Sequence, residues 1–204
     1  MRNGVAARSS FALAGTRLAR LVLLTAATAI GLTCVISGSV AQPSTSGASE
    51  RSVKAAFLYK FTEYVDWPAT PATRDRPFTI GVLGSGAFAD ELLRMTEDRT
   101  VDRRSIRVRR VSPSDAVDDL EVLFIAAEQR ARLSELLSPV RGRPILTVTE
   151  SEGALADGSI INFTVAGDRV RFEISLDAAQ ASQLKLNSRL LAVAQSIHQS
   201  PQPQ

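Results

Sequence analysis

The chain has 204 residues, with 24 Lys+Arg against 21 Asp+Glu, one histidine and one cysteine. Arg2, Arg8, Arg17 and Arg20 all precede the first acidic residue, Glu50, so the rest carries 20 basic against 21 acidic groups and offers no basic footprint for a nucleic acid. The lone Cys34 lies in the same N-terminal stretch, which excludes a disulfide, a thiolate metal site and thiol catalysis from everything after it.

That stretch reads as a secretory signal peptide, residues 1–41. It has a cationic start, the apolar run "LVLLTAATAIGLTCVI", and small residues ahead of a cleavage after Ala41. The run is short for a membrane span of about 20 residues. The chain is therefore expected to be exported. Residues 42–50, "QPSTSGASE", read as a disordered linker and 199–204, "QSPQPQ", as a disordered tail. One domain, 51–198, lies between them.

The first element is a helix over 51–65. Val53, Phe57, Phe61, Tyr64 and Val65 recur at spacings of three and four, and Trp67-Pro68 ends it. After a proline-rich loop, "FTIGVL" is a strand over 78–83 and a helix follows over 87–95. Gly84, Ser85 and Gly86 join them, and with Ala89 spell G-x-G-x-x-A, the looser dinucleotide fingerprint. The next strand, "SIRVRRV", ends on Arg110 and Ser112 where a ribose-binding acid belongs, so glycine geometry explains the turn better than a cofactor does. No cofactor is expected; the turn keeps the option of an anion on its exposed amides. The arginines of 103–110 alternate and read as a solvated strand face.

"EVLFIAA" (121–127) is a continuous apolar run, a strand covered on both faces. A helix follows over 128–138 with a Glu128–Arg132 pair, then the strand "PILTVTE" (144–150). "SIINFTV" and "RVRFEI" form an antiparallel hairpin around Ala166-Gly167-Asp168. Two helices close the domain, near 177–182 and from 187 or 188 to 197. Ser175 or Asp177 caps the first and Asn187 or Ser188 the second, and Leu190, Leu191, Ala194 and Ile197 form the buried stripe of the last. The expected fold class is α/β: a single domain, mostly parallel sheet with an antiparallel C-terminal hairpin, flanked by about five helices.

Catalytic patterns are absent. His198, the only histidine, stands near the end of the last predicted helix, where a cation suits the dipole. No metal-spaced carboxylates or nucleophile motif occur, and "DAVDD" (115–119) reads as solvated loop. The hairpin is more informative. Asn162 and Thr164 should stand beside Arg171 and Glu173 on one polar face, which is either plain solvated surface or a contact patch.

Four segments, "VKAAFLYKFTEYVDWP", "FTIGVLG", "DGSIINF" with "RVRFEI", and "LKLNSRLLAVA", resemble in order the YfiR-like family of periplasmic proteins over about 51–197. The resemblance implies a non-enzymatic α/β domain that often dimerises. It implies a partner: the periplasmic portion of a membrane diguanylate cyclase, or of a sensor kinase, with an outer-membrane lipoprotein able to sequester the regulator. The output would be cyclic-di-GMP and biofilm control. Its signature positions fall on Phe57, Tyr59, Phe61 and Trp67, on Asn162, Phe163, Arg171, Phe172 and Glu173, and on Leu184, Leu186, Ser188, Leu190 and Leu191. The chain departs from the pattern at Asp157 and Gln183, where the family favours glycine, at Ser175 (asparagine) and at Asn187 (serine), and it lacks the disulfides of the best-understood member. The partner-binding candidates are Asn162, Thr164, Arg171, Glu173, Leu184 and Leu190. The rival reading is a small-molecule binding protein using the strand ends near Gly84, Ser85 and Gly86.

Overall fold

The computed structural model describes residues 45–68 and 75–200; the signal peptide read at 1–41, part of the proline-rich loop and the last four residues lie outside them. The run read as doubly covered forms β5 (Val122–Ile125), buried throughout. Val122 and Phe124 enter one apolar layer, Leu123 and Ile125 the other. Parallel β2 (Phe78–Leu83) and β6 (Leu146–Thr149) flank it, with β4 (Arg104–Val111) beyond β2 and β7 (Ile161–Ala166) beyond β6. β8 (Arg169–Ser175) returns antiparallel to β7 through Gly167 and Asp168, whose φ angles of 55° and 59° suit a two-residue hairpin turn. With β3 (Thr100–Val101) and β10 (Ser196–His198) at the edges, the order is β10-β8-β7-β6-β5-β2-β4-β3. This is the expected α/β domain: a mostly parallel sheet, an antiparallel hairpin and five α-helices among the described residues.

The helices divide between the two layers. On one face lie α1 (Thr45–Tyr64), α2 (Gly86–Thr96), α4 (Leu176–Ala181) and α5 (Ser188–Val193), which contribute Leu58, Phe61, Phe88, Leu92, Ala179 and Leu190. On the other, α3 (Leu133–Leu137) supplies Leu133, Leu136 and Leu137. Helix α1 starts earlier than expected, and residues 45–50 are helical rather than a disordered linker. The Glu50 carboxylate, one turn before Lys54 and 2.5 Å from its Nζ, supports the helix across residues 50–54. The buried face is also rotated from the predicted stripe: Ala55, Leu58, Tyr59 and Phe61 are inside, while Val53 is 40% exposed. Phe57 and Phe61 meet Phe163 and Phe172 of the hairpin at centroid separations of 5.0–6.3 Å.

Three further expectations are corrected. The segment after β5 is a 3-10 turn (Ala127–Arg132) leading into a short α3, and Arg132 pairs with Glu135 at 2.8 Å rather than with Glu128. The strand arginines are not a bare solvated face. Arg104 binds the buried Glu121 at 2.5 Å, Arg109 binds Asp119 at 2.8 Å, and Arg110 binds Asp90. The last helix stops at Val193, and residues to 198 form β10 instead. The backbone N–H of Gln195 donates to the Phe172 carbonyl at 2.8 Å, and Ser196 registers with Glu173, so the unfilled edge of β8 captures the chain. His198 and Ile197 therefore stand on a strand, with Ile197 45% exposed.

Candidate functional site

Strand β7 pairs with β6 only through Ile161 and Asn162, so Phe163 to Ala166 run past the carboxyl end of β6. The overhanging hairpin walls a cleft of about 690 Å³ against the carboxyl ends of β2, β5 and β6. This is where open α/β sheets place their ligands. Ser85 and Phe88 line the β2 side, Ala127 and Glu128 the β5 side, and Glu150, Glu152 and Gly153 the β6 side. Asn162 to Val165 and Glu173 line the hairpin side, and Glu50, Arg51 and Lys54 of α1 close the rim.

Two polar groups organise the cleft. Asn162 is buried, its Oδ1 accepting from the Thr149 hydroxyl at 2.8 Å and the Ser151 N–H at 3.0 Å. Its Nδ2 donates to Glu173 Oε1 at 3.0 Å. The other Glu173 oxygen lies 3.3 Å from Ser196 Oγ and 3.5 Å from His198 Nε2. Lys54 Nζ lies between Glu150, at 2.6 Å, and Glu50. Burial works against the Lys54 charge, but the bonds to Glu150 and Glu50 outweigh it and hold its ammonium above the ordinary lysine range. Glu150 Oε1 also accepts from the Ala127 N–H at 3.1 Å, tying α1 to the ends of β5 and β6.

The hairpin pairing is as read from the sequence, Asn162 beside Glu173 and Thr164 beside Arg171. The two candidate groups, kept apart in the sequence, share one cleft: Ser85 lines it together with Asn162, Thr164 and Glu173. Gly84, at φ +96°, only shapes the turn; a Cβ there would lie 2.9 Å from Gln129 Cγ. Gly86 opens α2. Ser85 caps that helix by accepting from the Phe88 N–H at 3.4 Å. Arg171 is exposed outside the cleft. Leu184 and Leu190 are 4% and 2% exposed and belong to the core, so neither offers a contact surface. Leu184 is drawn in by the turn that ends α4, its N–H donating to the Ala179 carbonyl at 3.0 Å. Sequence reasoning missed Lys54 and Glu150. Glu150, at the carboxyl end of a predicted parallel strand, was the detectable one.

A family model described as YfiR/HmsC-like matches residues 51–195. The chain belongs to the YfiR/HmsC-like family. Every strand from β1 (Val65–Asp66) to β9 (Lys185–Leu186) and the hairpin fall within that match, and of the residues lining the cleft only Glu50 lies outside it. The family is one of periplasmic regulatory proteins rather than catalysts. A solved structure of a conserved domain protein from Vibrio cholerae O1 biovar El Tor str. N16961 shares the fold, with TM-score 0.50 and 10% sequence identity. The match covers 72% of this chain and 60% of that one, so this chain spans less than two thirds of its length. Among the described residues no helix is long and apolar enough to cross a membrane.

Proposed function

We propose that this protein is a periplasmic regulator that binds the periplasmic part of a membrane signalling protein and holds it inactive. The partner we favour is a diguanylate cyclase. Membership of the YfiR/HmsC-like family over 51–195 carries this reading. The mechanism is population shift: the regulator binds the inactive state of the partner more tightly, and its removal lets the active state return. The exposed Arg171, beside Thr164 on the overhanging hairpin, is the contact we favour, since desolvated arginines carry a large share of interface energy. Release by an outer-membrane lipoprotein and dimerisation of the regulator are parts of the same proposal.

The test is capture of membrane proteins from detergent-solubilised membranes of the source organism, read by mass spectrometry, with Arg171→Ala in parallel. A captured diguanylate cyclase that Arg171→Ala retains at least about fivefold less well supports both partner and surface. Equal capture by both moves the surface off the hairpin. No cyclase captured by folded protein removes the partner assignment.

The cleft supports a second reading, a small-molecule binding protein. Its volume lies within the range of about 300–1,000 Å³ usual for such sites, and it opens at the carboxyl ends of the parallel strands.

A further inference from the structure

The sheet ends differently on its two sides. At one edge β8 is covered by β10, itself only three residues long. At the other, β3 pairs with Arg104 and Ser105 alone, although β4 runs on to Val111. Among the described residues no strand, turn or side chain hydrogen-bonds to the backbone of 106–111 from the outer side. Every second residue of that run therefore turns a peptide N–H and carbonyl to open space, where a further strand can satisfy them.

The two faces of this edge are unlike. Ile106 and Val108 point into the main apolar layer and stand beside Phe78 and Ile80 of β2. Those neighbours are 1% and 0% exposed, but Ile106 and Val108 are only half-buried, because no strand follows them across the edge. Leu93 of α2, 55% exposed, joins Ile106 in lining a groove of about 480 Å³ on the same side. On the opposite face Arg109 is bonded to Asp119, while Arg107 is exposed and has no acidic partner among the described residues. The strand itself carries four arginines and no acid.

A second copy of this chain fits the edge poorly. Antiparallel pairing about Val108 would set each Arg107 opposite an Arg109 and each Ile106 opposite an Arg110. Like charges directly opposite one another work against such pairing. We propose that the open edge of β4 takes an extended segment of another protein, in which apolar and acidic residues alternate. Its main chain pairs with 106–111, its apolar side chains lie against Ile106, Val108 and Leu93, and its carboxylates meet Arg107. In recognition of this kind the main-chain bonds supply affinity and the alternating side chains supply specificity. Strands β6, β5 and β2 separate this edge from the hairpin, so the proposal depends neither on the contact at Arg171 nor on the cleft.

Fluorescence anisotropy of the purified protein with a labelled, capped peptide alternating valine with glutamate tests it. We expect a Kd on the order of 10–100 µM, with slowed hydrogen exchange confined to 106–111 in the complex. A peptide with lysine in place of glutamate should bind at least about tenfold more weakly. A copy N-methylated at every residue should not bind, since it has no N–H to donate. Arg107→Glu should weaken the acidic peptide about tenfold and leave the unfolding curve unchanged, because Arg107 is exposed. Equal binding of the N-methylated copy would reduce the contact to ionic attraction and overturn the inference, as would protection outside 106–111 or no binding at all. Equal binding of the lysine peptide overturns the acidic class of partner. A dimer of the protein that the acidic peptide dissociates gives the edge to a second copy and overturns the inference likewise.

Discussion

Asn162 is 1% exposed and uses its side-chain amide entirely inside the protein, accepting from Thr149 and Ser151 and donating to Glu173. A buried amide bonded to three partners orients the one carboxylate of the hairpin wall, so its contribution to any site is positional. Asn162→Asp keeps the shape and the two accepted bonds but sets a second carboxylate about 3.0 Å from Glu173. We expect a loss of about 2 kcal/mol at neutral pH. Two carboxylates sharing a site raise the folded-state proton affinity above the unfolded one. The destabilisation is therefore full above the raised folded pKa and fades as pH falls toward the ordinary carboxylate range. Urea midpoints measured at neutral pH and near pH 4.5 check this, and equal losses at both would dissociate Glu173 from the effect.

The end of α4 shows how one element decides the burial of a residue outside it. Ser182 is the C-cap and Gln183 follows at φ +58°. The Gln183 N–H donates to the Gln180 carbonyl at 2.9 Å and the Leu184 N–H to that of Ala179 at 3.0 Å, the paired bonds of a Schellman turn. This turn wants glycine at Gln183, which is where the family pattern favours it. Side chains in the left-handed region cost about 1–2 kcal/mol, and glycine gives back about 0.5–1 kcal/mol as chain entropy. Gln183→Gly should thus stabilise by about 0.5 kcal/mol, read as a higher urea midpoint; a lower midpoint would mean Gln183 makes a compensating contact. Two other departures from the family pattern keep their local role. Ser175 caps α4 by accepting from the Ala178 N–H, and Asn187 caps α5 by accepting from the Arg189 N–H.

Across the whole domain, the first helix packs on the last strands. Phe61, 1% exposed, stacks on Phe163 at 5.7 Å and meets Phe172 edge-on at 5.0 Å. Phe61→Ala should cost about 3–5 kcal/mol, by lost burial and the cavity left behind. The two regions share one core, so unfolding should stay a single transition. Trp67, the only tryptophan, lies edge-on to Phe78 at 5.1 Å and reports one end of the sheet by fluorescence, while far-ultraviolet dichroism reports the helices. Coincident curves with a shifted midpoint are expected; separated curves would show that α1 melts on its own.

Much of this fold is legible in the chain. A continuous apolar run such as 122–125 can only be satisfied between two layers, and the alternation of 161–174 around Gly167 and Asp168 fixes both the hairpin and its register, because a slip of one residue would turn Phe163 and Phe172 outward. Local caps and turns were legible for the same reason: their bonds join residues only two or three apart. What the chain could not disclose depends on contacts between distant segments. The strand at 196–198 exists because β8 has an open edge, and Leu184 and Leu190 are buried because the core receives them. Lys54 and Glu150, 96 positions apart, become neighbours only when α1 lies across the ends of β5 and β6. The cleft is the clearest case, since its lining comes from segments far apart in the sequence, gathered around a space that only the packed chain encloses.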